Sequence, residues 1–136
     1  MNALIKSKTP SRILVVDDEQ DNRDALKNIL TNRGLEVCAA ADGEEGFQKI
    51  QEFHPDAVLC DMRMPNVDGM SLLKKARENK YGGMFVMMTA FAKVEEAVEA
   101  MRNGAESYLV KPLPVGSVLG MLERSREPAI VAQRRV

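Results

Sequence analysis

Asp17, Asp18, Asp61, Thr89 and Lys111 each follow directly on a run of apolar residues, and their side chains are of the types that handle phosphate. Three carboxylates brought together repel. At an effective dielectric of about 20, a pair roughly 4 Å apart costs about 4 kcal/mol. Protons or a cation must relieve that cost. An all-oxygen ligand set with open positions suits Mg²⁺, which retains waters and completes its shell with phosphate oxygen. A carboxylate in such a setting can act as a nucleophile toward phosphorus and carry the group as an aspartyl phosphate. That transfer needs its charge neutralised, which a cation, a lysine ammonium and a hydroxyl donor can supply together.

Whether these residues meet depends on the elements that carry them. Apolar runs at 13–16, 37–40, 57–60, 84–88 and 108–110 alternate with five segments of helical periodicity. Several runs are apolar at every position, as expected of strands buried on both faces of a parallel sheet. The helical faces read Ala25, Leu26, Ile29 and Leu30; Phe47 and Ile50; Leu72, Leu73 and Ala76; Val94, Ala97, Val98 and Met101; and Val115, Val118, Leu119 and Leu122. Gly34 and Gly104 are expected to end the first and fourth helices, and Pro128 the fifth. Asp42 and Glu45 form a capping pattern that opens the second. Strict alternation predicts an α/β fold with right-handed crossovers and helices on both faces. In such a fold the C-terminal ends of the strands lie along one side, where ligands bind at the reversal of winding.

Composition narrows the class. The 136 residues suffice for one domain, and 45% apolar with 29% charged residues is an ordinary globular balance. Nineteen basic residues against twenty acidic ones give a net charge of −1, which argues against a nucleic-acid-binding domain. No apolar run is long enough to span a bilayer, and residues 1–10 lack the pattern of a secretory signal. Cys38 and Cys60 have no metal-ligand spacing and read as buried free thiols in a reducing compartment, so the expected location is the cytoplasm. The expected organisation is a mobile arm at 1–10, one domain at 11–127, and a tail or linker start at 128–136.

Four stretches, in order and at the expected strand ends, resemble the receiver domain of two-component response regulators. They are Ile-Leu-Val-Val-Asp-Asp-Glu at 13–19, Leu-Cys-Asp-Met-Arg-Met-Pro at 59–65 with Asp68 and Gly69, Met-Thr-Ala at 88–90, and Tyr-Leu-Val-Lys-Pro at 108–112. The resemblance covers the chain from Ser11 to about Arg126. It implies a flavodoxin-like, five-stranded parallel sheet of order 2-1-3-4-5 with five helices. It makes Asp61 the phosphoacceptor, Asp18 a direct Mg²⁺ ligand, Asp17 a ligand acting through water, and the Arg63 backbone carbonyl a further ligand. Lys111 and Thr89 would contact the phosphoryl group, with Thr89 and Tyr108 as switch residues. Phe91 and Arg63 would flank the path of hydrolytic water; for Phe91, packing against the fourth helix is the competing reading.

The implied partners are a sensor histidine kinase or a phosphotransfer protein, with a phosphorylation-dependent homodimer or partner contact on the face of the fourth helix, fifth strand and fifth helix. Neither direct nucleic-acid binding, membrane association nor turnover of an external substrate is expected. The segment at 89–105 is further similar to receivers of enhancer-binding activators of the nitrogen-regulator type, with Ser107 where that subfamily often has Asp.

Plainer roles compete with these. The acidic cluster Asp17-Asp18-Glu19 could complement a helix dipole, but its placement with Asp61 and Lys111 favours chemistry. Tyr108 is divided evenly between core and switch. Met64, Pro65, Asp68 and Gly69 read as loop punctuation, with Gly69 in a turn. Met84, Met87, Met88 and Met101 read as core, Glu95, Glu96 and Glu99 as a solvated face, and His54 as a solvated loop residue. A dehalogenase-like phosphatase would also use an Asp nucleophile and Mg²⁺, but it needs a second acid two residues on, where this chain has Arg63. A receiver-like interaction module without phosphorylation is the remaining rival. A Rossmann domain lacks its glycine fingerprint after the first strand.

Overall fold

The computed structural model describes residues 11–124. The expected arm at 1–10, the tail at 128–136 and the stop at Pro128 lie outside the described residues. In chain order the elements are β1 Arg12–Val16, α1 Gln20–Thr31, β2 Glu36–Ala40, α2 Gly43–Phe53, β3 Ala57–Asp61, α3 Gly69–Glu78, β4 Met84–Thr89, α4 Val94–Arg102, β5 Ser107–Val110 and α5 Val115–Arg124. The strands pair in parallel in the order β2-β1-β3-β4-β5, as expected. Val16 lies beside Cys60, Asp61 beside Met88 and Thr89 beside Val110, so the strand ends stay level across the sheet.

The two-residue period of the central strands divides the core. Leu14, Val16, Val58, Cys60, Phe85 and Met87 pack on one side with Ile50, Leu72, Leu73, Ala76 and Ala100 from α2, α3 and α4. Ile13, Val15, Leu59, Val86 and Met88 pack on the other with Leu26, Leu30, Val118 and Leu122 from α1 and α5. Each Val, Leu, Ile, Phe or Met among them contributes roughly 1.5–3 kcal/mol of burial. The layers therefore hold the strand ends rigidly in place. Among the described residues, no helix is long and apolar enough to cross a membrane.

Helix ends follow the local signals. The Asp42 carboxylate accepts from the Glu45 N–H at 2.8 Å, and Glu45 in return accepts from the Ala41 N–H at 2.8 Å. Gly34 and Gly104, with φ of 86° and 102°, follow α1 and α4 as expected. His54 is exposed at the C-cap of α2, in agreement with a loop role.

Several burial expectations need correction. Val94 is 78% exposed, and Val98 and Met101 are exposed as well, so the apolar stripe of α4 does not face the core. The helix turns Ala100 inward instead. A small side chain at the contact lets the helix approach the sheet closely; periodicity defines a stripe but not the direction it faces. Ala25 is also exposed. Cys38 is only half-buried, because β2 is an edge strand, whereas Cys60 in the central β3 is buried; both thiols are free. Burial, and next the charge of Asp61, push the Cys60 thiol well above its ordinary value, so it is inert packing.

Candidate functional site

Because the sheet is parallel, residues at the C-terminal ends of β1, β3, β4 and β5 converge. Asp17 and Asp18 follow β1, Asp61 ends β3, Thr89 ends β4 and Lys111 follows β5. The winding reverses between β1 and β3, where the acidic residues lie. Asp17, Asp18 and Asp61 each bring one carboxylate oxygen to within 4.8 Å of the others. Asp17 and Asp61 are buried and Asp18 is exposed. Three oxygen donors on one open side fit a hard divalent cation that keeps part of its water shell.

The Lys111 ammonium donates to Asp17 Oδ2 at 2.9 Å and lies 3.4 Å from Asp61 Oδ2. The other Asp17 oxygen accepts from the Glu19 N–H at 2.9 Å, and Arg23 donates to the Asp17 carbonyl at 2.8 Å, which fixes the turn after β1. Burial pushes the Asp61 carboxyl above its ordinary range; the Lys111 ammonium opposes this, the Asp17 charge adds to it, and the Arg63 N–H, donating to Asp61, opposes it. Burial acts to lower the Lys111 ammonium, but its hydrogen bond to Asp17 and the two negative charges outweigh that and raise it. Lys111 therefore stays charged. A cleft of ≈ 390 Å³ opens beside it, lined by Asp17, Asn22, Leu26, Ile29 and Leu113 among others.

The loop after β3 is held against the sheet by bonds from Met62 N–H to the Met88 carbonyl (2.7 Å) and from Gly69 N–H to the Met62 carbonyl (3.0 Å). Gly69 was expected to serve a turn, but its role is proximity: a Cβ there would collide with the Asp61 carbonyl. Asp68 caps α3 through the Ser71 N–H at 2.9 Å, and Met64 is buried in the core rather than mere loop punctuation.

The model of the family described as the response regulator receiver domain matches residues 13–123. The chain belongs to that family. The receiver is 38% identical over 115 residues to the regulatory protein AtoC of Escherichia coli K12, covering 85% of this chain and 25% of AtoC. It thus spans about a quarter of the length of that relative, in keeping with the expected likeness to nitrogen-regulator-type receivers. To the chemotaxis protein CheY of Bacillus subtilis it is 33% identical over 115 residues, covering 84% of this chain and 96% of that protein. Among solved structures, the CheX–CheY complex with beryllium fluoride and Mg²⁺ from Borrelia burgdorferi is similar, with a TM-score of 0.81 and 30% identity over 88% of this chain and 91% of that one.

Around the receiver's acidic cluster, the buried Thr89 hydroxyl is engaged within its own turn, accepting from the Phe91 N–H at 3.2 Å. Tyr108 is half-buried, between the two readings of core and switch. Its hydroxyl donates to Glu96 at 3.0 Å and accepts from the Lys93 N–H at 3.2 Å. Phe91 is 72% exposed, which removes the reading that it packs against α4. The Arg63 guanidinium pairs with Glu96 at 2.8 Å and Lys74 with Glu99 at 3.0 Å, so these glutamates are not a simple solvated face. Sequence reasoning misread Glu96 as a solvated charge and passed over Arg23. Each sits on a helix surface with no local pattern to distinguish it from a solvated charge.

Proposed function

We propose that this receiver accepts a phosphoryl group on Asp61 from a sensor histidine kinase or a phosphotransfer protein. The observation that carries the reading is the meeting of Asp17, Asp18 and Asp61 with the Lys111 ammonium at one end of the sheet. An Asp61 carboxylate oxygen attacks phosphorus, the bond from phosphorus to the donor nitrogen or oxygen breaks, and the donor leaves with that electron pair. Mg²⁺, held by Asp17, Asp18, Asp61 and the Arg63 backbone carbonyl, would neutralise charge on the transferring oxygens.

Lys111 already lies beside Asp61 and needs only a small shift to contact the new phosphoryl group. Thr89 exchanges its bond with Phe91 for one to the phosphoryl oxygen, and Tyr108 turns inward behind it. The face of α4, β5 and α5 then changes shape for a second copy or another protein. Exposed Val94, Val98, Met101 and Val110 support that face as a contact surface. Phe91 and Arg63 modulate hydrolysis. The domain turns over no external substrate, binds no nucleic acid directly and works in the cytoplasm.

The test is incubation with Mg²⁺ and acetyl phosphate, read by intact mass spectrometry. One added phosphoryl group in the wild type and none in Asp61→Asn is expected. Equal gain in both would remove Asp61 as the acceptor, and no gain in either would favour an interaction module.

A further inference from the structure

α4 is held to the body by little apolar surface. Ala100 is its one buried residue, and Val94, Val98 and Met101 point outward. Its polar contacts are correspondingly important, and one carboxylate gathers most of them. Glu96 divides its two oxygens: Oε1 accepts from the Tyr108 hydroxyl at 3.0 Å, and Oε2 accepts from the Arg63 guanidinium at 2.8 Å. The Tyr108 hydroxyl also accepts from the N–H of Lys93 at the N-cap of α4, where no side chain of the cap residue serves. A single side chain therefore joins Arg63, two residues past Asp61, to Tyr108 on β5.

We propose that Glu96 is a positioning residue that holds the receiver in its resting state, an inference that rests on the phosphoacceptor reading above. Its carboxylate keeps the Tyr108 hydroxyl on α4 and commits the Arg63 guanidinium to the same helix. Tyr108 cannot turn inward while its hydroxyl stays on Glu96, and the ion pair with Arg63 fixes the carboxylate where Tyr108 meets it. Each activation must break the phenol–carboxylate bond, which is charge-assisted. The ion pair has side-chain exposures of 49% and 21%, so its share is modest and salt-sensitive. The neighbouring Lys74–Glu99 pair ties α3 to the same helix through a bond of its own, separate from those of Glu96 to Tyr108 and Arg63, and so provides an internal control.

The experiment measures the affinity for beryllium fluoride with Mg²⁺, together with the NMR position of the Tyr108 ring in the unliganded protein. Removing a contact present only in the resting state shifts the equilibrium by the same factor as that contact's worth. Glu96→Ala is expected to tighten binding by about three- to tenfold. Glu96→Gln, which keeps an acceptor for Tyr108 but gives up the ion pair, should tighten it less. Glu99→Gln should leave it unchanged, and the effect of Glu96→Ala should vanish in a Tyr108→Phe background.

Equal tightening by Glu96→Ala and Glu99→Gln would show general loosening of α4 and overturn the proposal, as would unchanged affinity in every variant. If the wild type binds no beryllium fluoride, the phosphoacceptor reading falls. The Tyr108 ring then decides alone: movement in Glu96→Ala but not in Glu99→Gln supports the anchor, and an unmoved ring overturns it. Circular dichroism establishes that each variant is folded.

Discussion

Lys111 directs its ammonium to Asp17 at 2.9 Å, 94 residues away in the chain. The partner carboxylate is buried, so this bond compensates a charge that water cannot reach. Asp61 lies farther from the same ammonium, at 3.4 Å. In the resting domain Lys111 is thus first a counter-ion for Asp17, and it stands ready beside the proposed acceptor.

Lys111→Met should destabilise the domain by about 1–3 kcal/mol, since it leaves Asp17 buried without its cation. The same change removes a positive charge from beside three carboxylates and should tighten Mg²⁺ binding. The raised Lys111 ammonium contributes stability at every pH below its unfolded value of 10.5, and loses it as pH rises through the higher folded value. The stability gap between wild type and variant should therefore be constant near neutrality and narrow in strong alkali. Urea unfolding across pH and calorimetric Mg²⁺ titration check both parts; weaker Mg²⁺ binding would contradict this electrostatic account.

Asp61→Asn should raise stability in Mg²⁺-free buffer at pH 7 by about 1 kcal/mol, or roughly 3–5 °C in Tm. Burial raises the Asp61 carboxyl, so the folded domain binds its proton more readily than the unfolded chain does. Stability from this group is greatest in acid and is lost as pH climbs from the unfolded value of 3.8 through the raised folded value. The advantage of Asn should shrink as pH is lowered from 7 toward 4. A thermal melt series reads it, and a variant less stable than wild type at pH 7 would be the contrary result.

The acidic residues should divide by function. Asp18 is exposed, whereas both Asp17 oxygens already accept bonds, from Lys111 and the Glu19 N–H. Asp18→Ala should lose most of the Mg²⁺ affinity and leave stability within about 0.5 kcal/mol. Asp17→Ala should lose less affinity and more stability. Metal titration paired with denaturant unfolding tests the ordering, which the reverse pattern would refute.

Phe91 is exposed enough that its truncation should hardly affect folding. Its bulk, without a hydrogen-bonding group, should still hinder water near the phosphorylated site. Loss of phosphate from isolated phosphoprotein should be a few-fold faster in Phe91→Ala and Phe91→Asn than in wild type. Identical decay in all three would confine Phe91 to the surface.

The alternation of strands and helices and the identity of the acidic residues could be read from one dimension, because both are local; the lateral order of the strands came only from the family resemblance. A two-residue or 3.6-residue period belongs to a single element, and the chemistry-bearing residues lie directly after the strands they follow. Position after a strand thus places Asp17, Asp18, Asp61, Thr89 and Lys111 at one end of a parallel sheet, and the fold puts them there.

What the tertiary structure alone decided are relations between elements. The stripe of Val94, Val98 and Met101 is visible in sequence, but the packing of Ala100 determines that it faces outward. Gly69 reads as a turn residue until the Asp61 carbonyl is found where its Cβ would be. Glu96 reads as a solvated charge until Arg63 and Tyr108, from two other elements, arrive at its two oxygens. Periodicity specifies a face, whereas rotation, close approach and long-range pairing depend on how the layers settle against one another.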